Sequence, residues 1–173
     1  MIFSRCRYAV RICPRQFCAR GADLALYYLD TSALVKLYVR EPGTDRLLQL
    51  ASNPAENRLT VLTITPVEAR SAVRRRERAG DIDPKTAIHI LDMLQTHLES
   101  RFIRQALNET VLDGALEMID RYALRAYDAV QLAGCLVLKT ADAEPPTFVC
   151  ADQHLLDAAR SELLAVFDPC AAY

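Results

Sequence analysis

The sequence lacks several features that would place it in a specialised class of protein. It has no tryptophan, only five glycines, and no apolar run of the roughly 18 residues that a transmembrane helix needs. None of its six cysteines is spaced as a CxxC pair, which weakens a zinc-thiolate or redox-motif interpretation and favours a reducing compartment. We therefore expect a soluble, cytoplasmic protein without a membrane segment.

The chain also has no net positive charge, since its formal net charge is -1. Residues 1–21 contain five arginines and no acid, whereas residues 22–173 contain 16 basic and 22 acidic side chains and carry -6. A domain with that charge does not attract nucleic acid through its overall field, so any such contact has to be local. About half of the 173 residues are hydrophobic, which is enough for one compact domain.

Apolar segments of two kinds alternate along the chain. Short apolar or β-branched runs predict strands, and apolar residues at helical spacing predict the helices between them. Strands are predicted at 26–29, 59–64, 102–107, 147–150 and 164–167, with helices at about 33–38, 44–51, 65–80, 83–94, 111–122, 128–136 and 152–163. This alternation implies parallel pairing and right-handed crossovers, and therefore an α/β fold: a three-layer α/β/α sandwich around a central, mainly parallel sheet.

Two helix starts have recognisable capping residues. Ser32 is expected to N-cap the first helix, and Thr65 the third, with Pro66 at its first position and Glu68 at its third. Two later helices have apolar faces that the spacing defines. One is made by Ile88, Leu91 and Leu94, and the other by Val111, Leu112, Leu116, Ile119 and Tyr122.

Four acidic residues stand at related places in this pattern. Asp30 and Asp152 follow predicted strands, whereas Glu68 and Asp128 lie at predicted helix starts. In a parallel α/β sheet, the carboxyl ends of strands and the amino ends of the following helices share one edge, so all four are expected to meet there. Clustered carboxylates repel one another, and a hard divalent cation such as Mg²⁺ or Mn²⁺ relieves that repulsion.

Each acid also has a local explanation when it is taken alone. Glu68 fits a capping box with Thr65, and Asp128 fits a favourable charge at the positive end of a helix dipole. Asp30 fits an Asx turn, and Asp152 fits an N-cap. These alternatives stay open for the single residues, and only the combination favours a shared site.

The sequence around these acids resembles the PIN-domain proteins, particularly the VapC toxins of bacterial type II toxin–antitoxin pairs. The resemblance covers about residues 26–168 and rests on four segments in the family's order: YLDTSALVKLY at 28–38, TPVEARSA at 65–72, LRAYDAVQLA at 124–133 and FVCAD at 148–152. It implies a PIN-like fold in which Asp30, Glu68, Asp128 and Asp152 are the metal-binding and catalytic acids. It further implies an Mg²⁺- or Mn²⁺-dependent endoribonuclease with RNA as substrate, a VapB-like antitoxin as partner, and a homodimer.

Local positive charge for RNA is available next to two of the acids. Arg70, Arg74 and Arg78 are expected to share one face of the helix that starts near Glu68, and Arg121 and Arg125 lie close to Asp128 in sequence. These five arginines are the candidates for RNA contact. The alternative for each is an ordinary solvated helix surface.

The basic N-terminus is not explained by the resemblance, since such a domain normally begins only a few residues before its first strand. We expect residues 1–23 to be an extension outside a nuclease domain at 24–173. A start codon assigned too far upstream is favoured over an RNA- or partner-binding arm. Mass measurement of the native protein distinguishes the two.

Two other functions compete with a metal-dependent nuclease. One is a non-catalytic PIN-like module for RNA binding or protein interaction, which the intact set of four acids disfavours. The other is a phosphohydrolase with a nucleophilic aspartate after its first strand. Such enzymes need a second acid two residues later, and position 32 is serine.

Overall fold

The structure is a computed structural model that describes residues 24–141 and 145–171. The expected basic extension at 1–23 lies outside the described residues. No helix in these ranges is both long enough and apolar enough to cross a bilayer.

The centre of the molecule is a five-stranded, all-parallel sheet. Its strands are β1 (Ala25–Leu29), β2 (Asn57–Leu62), β3 (Phe102–Gln105), β4 (Thr147–Val149) and β5 (Ala165–Phe167). They lie in the order β3-β2-β1-β4-β5, with every neighbouring pair parallel. The predicted α/β sandwich with a parallel sheet is therefore confirmed, and each predicted strand bound lies within two residues of the observed one.

Seven helices are seen in the described residues and cover both faces of the sheet. They are α1 (Thr31–Val35), α2 (Thr44–Ala51), α3 (Thr65–Ala79), α4 (Pro84–Ser100), α5 (Glu109–Tyr122), α6 (Ala126–Ala141) and α7 (Gln153–Ser161). Two buried clusters result, one with α1 to α4 and one with α5 to α7. Successive strand residues point to opposite faces, so Leu29 packs in the first cluster and Tyr28 in the second.

The strand order creates a crevice at the carboxyl ends of β1 and β4. The chain runs outward from β1 through β2 to β3 and then returns to the other side of β1 for β4 and β5. At this switch point the Asp30 N–H donates to the Val149 carbonyl at 3.0 Å, which joins the two strand ends. Crevices of this kind are where parallel α/β sheets bind ligands.

Helix α6 packs tightly against side chains of β1 and β2 beneath this crevice. A Cβ atom built on Gly134 would stand 2.5 Å from the Tyr28 hydroxyl and 2.9 Å from Leu62 Cδ1. A side chain at position 134 would clash with both, so glycine is the residue that lets α6 pack against Tyr28 and Leu62 here.

Both predicted N-caps are wrong. Asp30, not Ser32, caps α1, since its carboxylate accepts the Ser32 N–H. Helix α3 follows Ile64, whose side chain makes no capping bond, and Thr65 is its first residue. The Thr65 hydroxyl instead accepts a hydrogen bond from buried Gln131, a partner 66 residues away that no local pattern could reveal.

The predicted apolar faces of two helices are also partly wrong. In α4, Ile88 is exposed, and the buried face consists of Ala87, Ile90, Leu91, Leu94 and Leu98. In α5, Leu112 and Leu116 are exposed, and the buried residues are Val111, Ala115 and Met118. Both helices carry apolar residues on two adjacent stripes, so periodicity alone does not choose between them.

Candidate active site

All four acids expected to form the site line one cleft at the switch-point crevice, with a volume of about 660 Å³. Asp30 follows the end of β1, Glu68 lies in the first turn of α3, Asp128 lies in the first turn of α6, and Asp152 is the N-cap of α7. Four elements that are far apart in sequence thus supply one cluster of carboxylates.

Asp30 is the most enclosed of the four, with 5% of its surface exposed. Its Oδ2 accepts the Ser32 N–H at 3.1 Å, the Ser32 hydroxyl, and the Cys150 thiol at 3.4 Å. Burial raises the pKa of Asp30, and the hydrogen bonds from Ser32 and Cys150 oppose that rise. Asp30 therefore both accepts the local bond of an Asx turn and lines the cleft.

Glu68 is held by a buried polar network that sequence reasoning did not single out. Its Oε2 accepts the Thr31 hydroxyl at 2.8 Å and the side-chain amide N–H of Gln131. Gln131 is 1% exposed, and its Oε1 accepts the hydroxyl of buried Tyr28 at 3.1 Å. Glu68 is thus a member of this network and does not form the expected capping box with Thr65.

Asp128 and Asp152 face the cleft from helix starts. Asp152 Oδ1 accepts the Leu155 N–H at 3.0 Å, so the residue is an N-cap as well as a lining residue of the cleft. Asp128 is half-buried, and burial followed by the charges of Asp30 and Asp152 raises its pKa, while Arg125 and His154 oppose the rise.

The electrostatics of the cleft are those of carboxylates held together against their repulsion. Burial also raises the pKa of Glu68, with further contributions from the charges of Asp30 and Asp128, and its bonds to Thr31 and Gln131 oppose them. Three of the four acids therefore have a raised pKa, each with a neighbouring acid or burial as the cause. A cation in the cleft would relieve this cost.

The donor set suits a hard divalent cation in its chemistry. Carboxylate oxygens are the ligands that Mg²⁺ and Mn²⁺ prefer, and the hydrogen bonds above use one oxygen each of Asp30, Glu68 and Asp152. No three His, Cys, Asp or Glu side chains in residues 24–141 and 145–171 form a ready-made cage. Mg²⁺ does not require one, because it typically takes one or two carboxylates and keeps several waters.

The arginines on the cleft are not those that the sequence suggested. Helix α3 turns Glu68, Ser71, Ala72, Arg75 and Arg76 towards the cleft, which are the positions at helical spacing from Glu68. The predicted face of Arg70, Arg74 and Arg78 does not line it. Counting three, four, seven and eight residues from Glu68 would have identified the cleft side of α3.

The other two candidate arginines differ from each other in position. Arg121 forms ion pairs with Glu162 and Glu117 and does not line the cleft. Arg125 lowers the pKa of Asp128 and therefore has its charge near the acids. An RNA contact by any of the five predicted arginines stays a prediction.

The fold and the cleft define the class of this protein: a parallel α/β domain whose switch-point crevice gathers four carboxylates. Within that class the chain belongs to the PIN domain family, whose model matches residues 27–160. The matched range includes all four acids.

One relative supports the same assignment, and two solved structures share the fold. Ribonuclease VapC47 of Mycobacterium tuberculosis (strain CDC 1551 / Oshkosh) is 33% identical over 138 residues, which is 78% of this chain and 90% of that protein. The structure of PAE2754 from Pyrobaculum aerophilum is similar at a TM-score of 0.53 and 22% identity, over 85% of this chain and 86% of that one. The structure of VapBC2 from Rickettsia felis, bound to a promoter DNA fragment, is similar at a TM-score of 0.58 and 13% identity, over 83% of this chain and 98% of that one.

Proposed function

We propose that this protein is a divalent-metal-dependent endoribonuclease of the VapC type, the toxin of a toxin–antitoxin pair. The observation that carries the proposal is the convergence of Asp30, Glu68, Asp128 and Asp152 on one cleft. The similarity to a ribonuclease over most of the chain supports RNA as the substrate. The same four acids are the proposed catalytic and metal-binding residues.

The metal is proposed to be Mg²⁺ or Mn²⁺, with its protein ligands drawn from the four carboxylates. Such a cation, when bound, supplies Lewis-acid polarisation of a phosphodiester oxygen and lowers the pKa of water. The proposed donor atoms are all carboxylate oxygens, which disfavours the softer metals that thiolate and imidazole ligands select.

The protein's own residues hold these carboxylates in fixed directions. Ser32 and Cys150 fix Asp30, the Thr31 hydroxyl and the Gln131 amide fix Glu68, and the first turn of α7 fixes Asp152. Fixed charges that need no rearrangement during the reaction are the main way in which enzymes stabilise the charge that develops at phosphorus.

An RNA-cleavage assay with metal titration tests this function. Wild-type protein is expected to cut single-stranded RNA with added Mg²⁺ or Mn²⁺ and to stop with EDTA, because both the acids and the cation are needed. The double variant Asp30→Asn with Asp128→Asn is expected to lose activity. Asp157→Asn, at an exposed acid of α7 that does not line the cleft, is the matched control and is expected to keep it.

Activity that survives in the double variant would falsify the proposal. Tight RNA binding without any cleavage by the metal-loaded wild type would instead support a non-catalytic PIN-like module. The two outcomes are separated by measuring RNA binding and product formation on the same preparation.

A VapB-like antitoxin and a homodimer complete the proposal. The neighbour from Rickettsia felis is a VapBC protein, and its similarity here is one of fold. Co-expression with the product of the adjacent gene, followed by size-exclusion chromatography with light scattering, tests both. We expect a stable complex, and loss of RNA cleavage in that complex.

A further inference from the structure

The acidic cleft also contains a group of basic side chains. Lys36, Arg75 and Arg76 line the same cleft as the four carboxylates. We call these three residues, together with Glu41, the cationic wall. Its net charge is +2, in a cleft whose other charged lining residues are the four acids.

The Glu41 carboxylate forms ion pairs with two of the cations, Lys36 and Arg76. Lys36 Nζ donates to Glu41 Oε2 at 2.7 Å, and the Arg76 guanidinium donates to Glu41 Oε1. Side-chain exposure is 10% for Lys36, 18% for Glu41 and 33% for Arg76, so the group is largely enclosed. The three come from the segment after α1, the segment before α2, and α3, which fixes them relative to the acids.

Enclosed cations at fixed positions need a reason, since their burial is costly even when they are paired. Glu41 neutralises only one of the two positive charges that it holds. Arg75, which is exposed, adds a guanidinium whose planar fork matches phosphate oxygens. The wall therefore offers positive charge to an anion that enters the cleft.

We propose that the cationic wall binds a backbone phosphate of the RNA next to the phosphate that is cut. This rests on the proposed function and names a subsite for it. An RNA strand in the cleft brings successive phosphates, so one lies at the acids with their cation while a neighbouring one meets Lys36, Arg75 and Arg76. Because residues 22–173 carry -6, this local charge offsets the repulsion that the rest of the domain exerts on RNA.

Arg75 is the residue of choice for the test. It is exposed and forms no ion pair among the described residues, so its replacement is expected to leave the fold unchanged. Arg104, an exposed arginine of β3 that does not line the cleft, offers a matched loss of charge. The thermal midpoints of both variants report on folding.

The experiment measures steady-state cleavage of a single-stranded RNA by full-length protein in Mg²⁺ at several KCl concentrations. Arg75→Gln is expected to raise KM about tenfold, as loss of roughly 1.4 kcal/mol of binding does, with kcat changed much less. The slope of log(kcat/KM) against log[KCl] is expected to decrease in magnitude by about 0.7, the value for one phosphate contact on a single strand. Arg75→Lys is expected to recover most of the loss, and Arg104→Gln to stay within about twofold of wild type because it is remote from the cleft.

Three results would overturn the subsite. They are an unchanged KM and salt slope in Arg75→Gln, an equal loss in Arg104→Gln, and a loss confined to kcat with an unchanged salt slope. Absence of any cleavage by the wild type would instead refute the proposed function itself, so the two failures are distinguishable.

Discussion

At the scale of single residues, Gln131 links the site to the core. Its amide accepts from Tyr28 and donates to Glu68, Thr31 and Thr65, with 1% of its surface exposed. Nothing in the segment around it distinguishes this glutamine from an ordinary helix former, since all four of its partners lie more than 60 residues away. Its role could therefore not be predicted from the sequence.

Replacing Gln131 by leucine tests this role. The change leaves several buried polar groups without their partner, each at about 1–3 kcal/mol, so we expect a clear loss of unfolding free energy in urea. We also expect kcat for RNA cleavage to fall more than KM rises, because Glu68 loses one of the donors that aim it.

Gln153→Leu is the matched control, because Gln153 is exposed on α7 and bonds only the surface acid Asp157 among the described residues. Its effect on stability is expected to stay within about 0.5 kcal/mol. Equal effects of the two changes would contradict a positioning role for Gln131.

The raised pKa of Asp128 predicts a particular dependence of stability on pH. Because its pKa is higher in the folded state than in the unfolded state, the folded state binds the proton more tightly. Stability therefore falls as pH rises through the window between the two pKa values, and the deficit persists at neutral pH. Asp128→Asn removes the charge and is expected to be more stable than wild type in EDTA at about pH 7.

The gain should shrink near about pH 4, where the carboxyl approaches its protonated form in both states. Urea unfolding at the two pH values measures it. Asp157→Asn provides the comparison, since Asp157 is exposed and pairs with Arg160 outside the cleft. A gain that is the same at both pH values, or that Asp157→Asn reproduces, would refute the electrostatic account of Asp128.

At the scale of elements, helix α5 illustrates what periodicity can and cannot predict. Its existence and bounds were predictable from apolar residues at helical spacing, yet the buried stripe was not. A Cβ on Gly114 would lie 3.4 Å from Ala133 Cβ, so α5 approaches α6 with its small residues. Close packing of the two backbones selects the side with Gly114 and Ala115 over the bulkier side with Leu112 and Leu116.

A pair of substitutions on α5 tests this orientation. Met118→Ala, at a side chain with 3% exposure, is expected to cost about 2–5 kcal/mol of unfolding free energy, because it leaves a cavity. Leu116→Ala, with 63% exposure, is expected to cost less than about 0.5 kcal/mol. Urea denaturation of both variants gives the comparison, and a larger loss at Leu116 would mean that the helix is turned the other way.

At the scale of the whole molecule, the meeting of the four acids was predictable and the cationic wall was not. Asp30 and Asp152 follow parallel strands and Glu68 and Asp128 begin helices, and topology alone brings such positions to one edge. The wall depends on the rotation of α3 about its axis and on the loop that places Glu41. Those are set by packing between distant segments, which a single sequence does not reveal.

The concentration of negative charge in one cleft predicts a response of the whole fold to divalent cations. A ligand that binds only the folded state stabilises it by about 2.7 kcal/mol at a hundred times its Kd. For a domain of this size each kcal/mol raises Tm by roughly 2–4 °C. Saturating Mn²⁺ or Mg²⁺ is thus expected to raise the Tm of the wild type by about 5–10 °C, and EDTA is expected to reverse the rise.

Variants distinguish a site in the cleft from general screening of the acidic surface. Asp128→Asn is expected to start from a higher Tm in EDTA but to gain much less from Mn²⁺, because one proposed ligand and part of the repulsion are gone. Asp157→Asn, which removes the same charge from outside the cleft, is expected to gain as much as the wild type. Differential scanning fluorimetry at matched ionic strength measures all three proteins. If NaCl at that ionic strength reproduced the rise, or if the two variants gained equally, the stabilisation would come from the acidic surface as a whole and not from the four carboxylates.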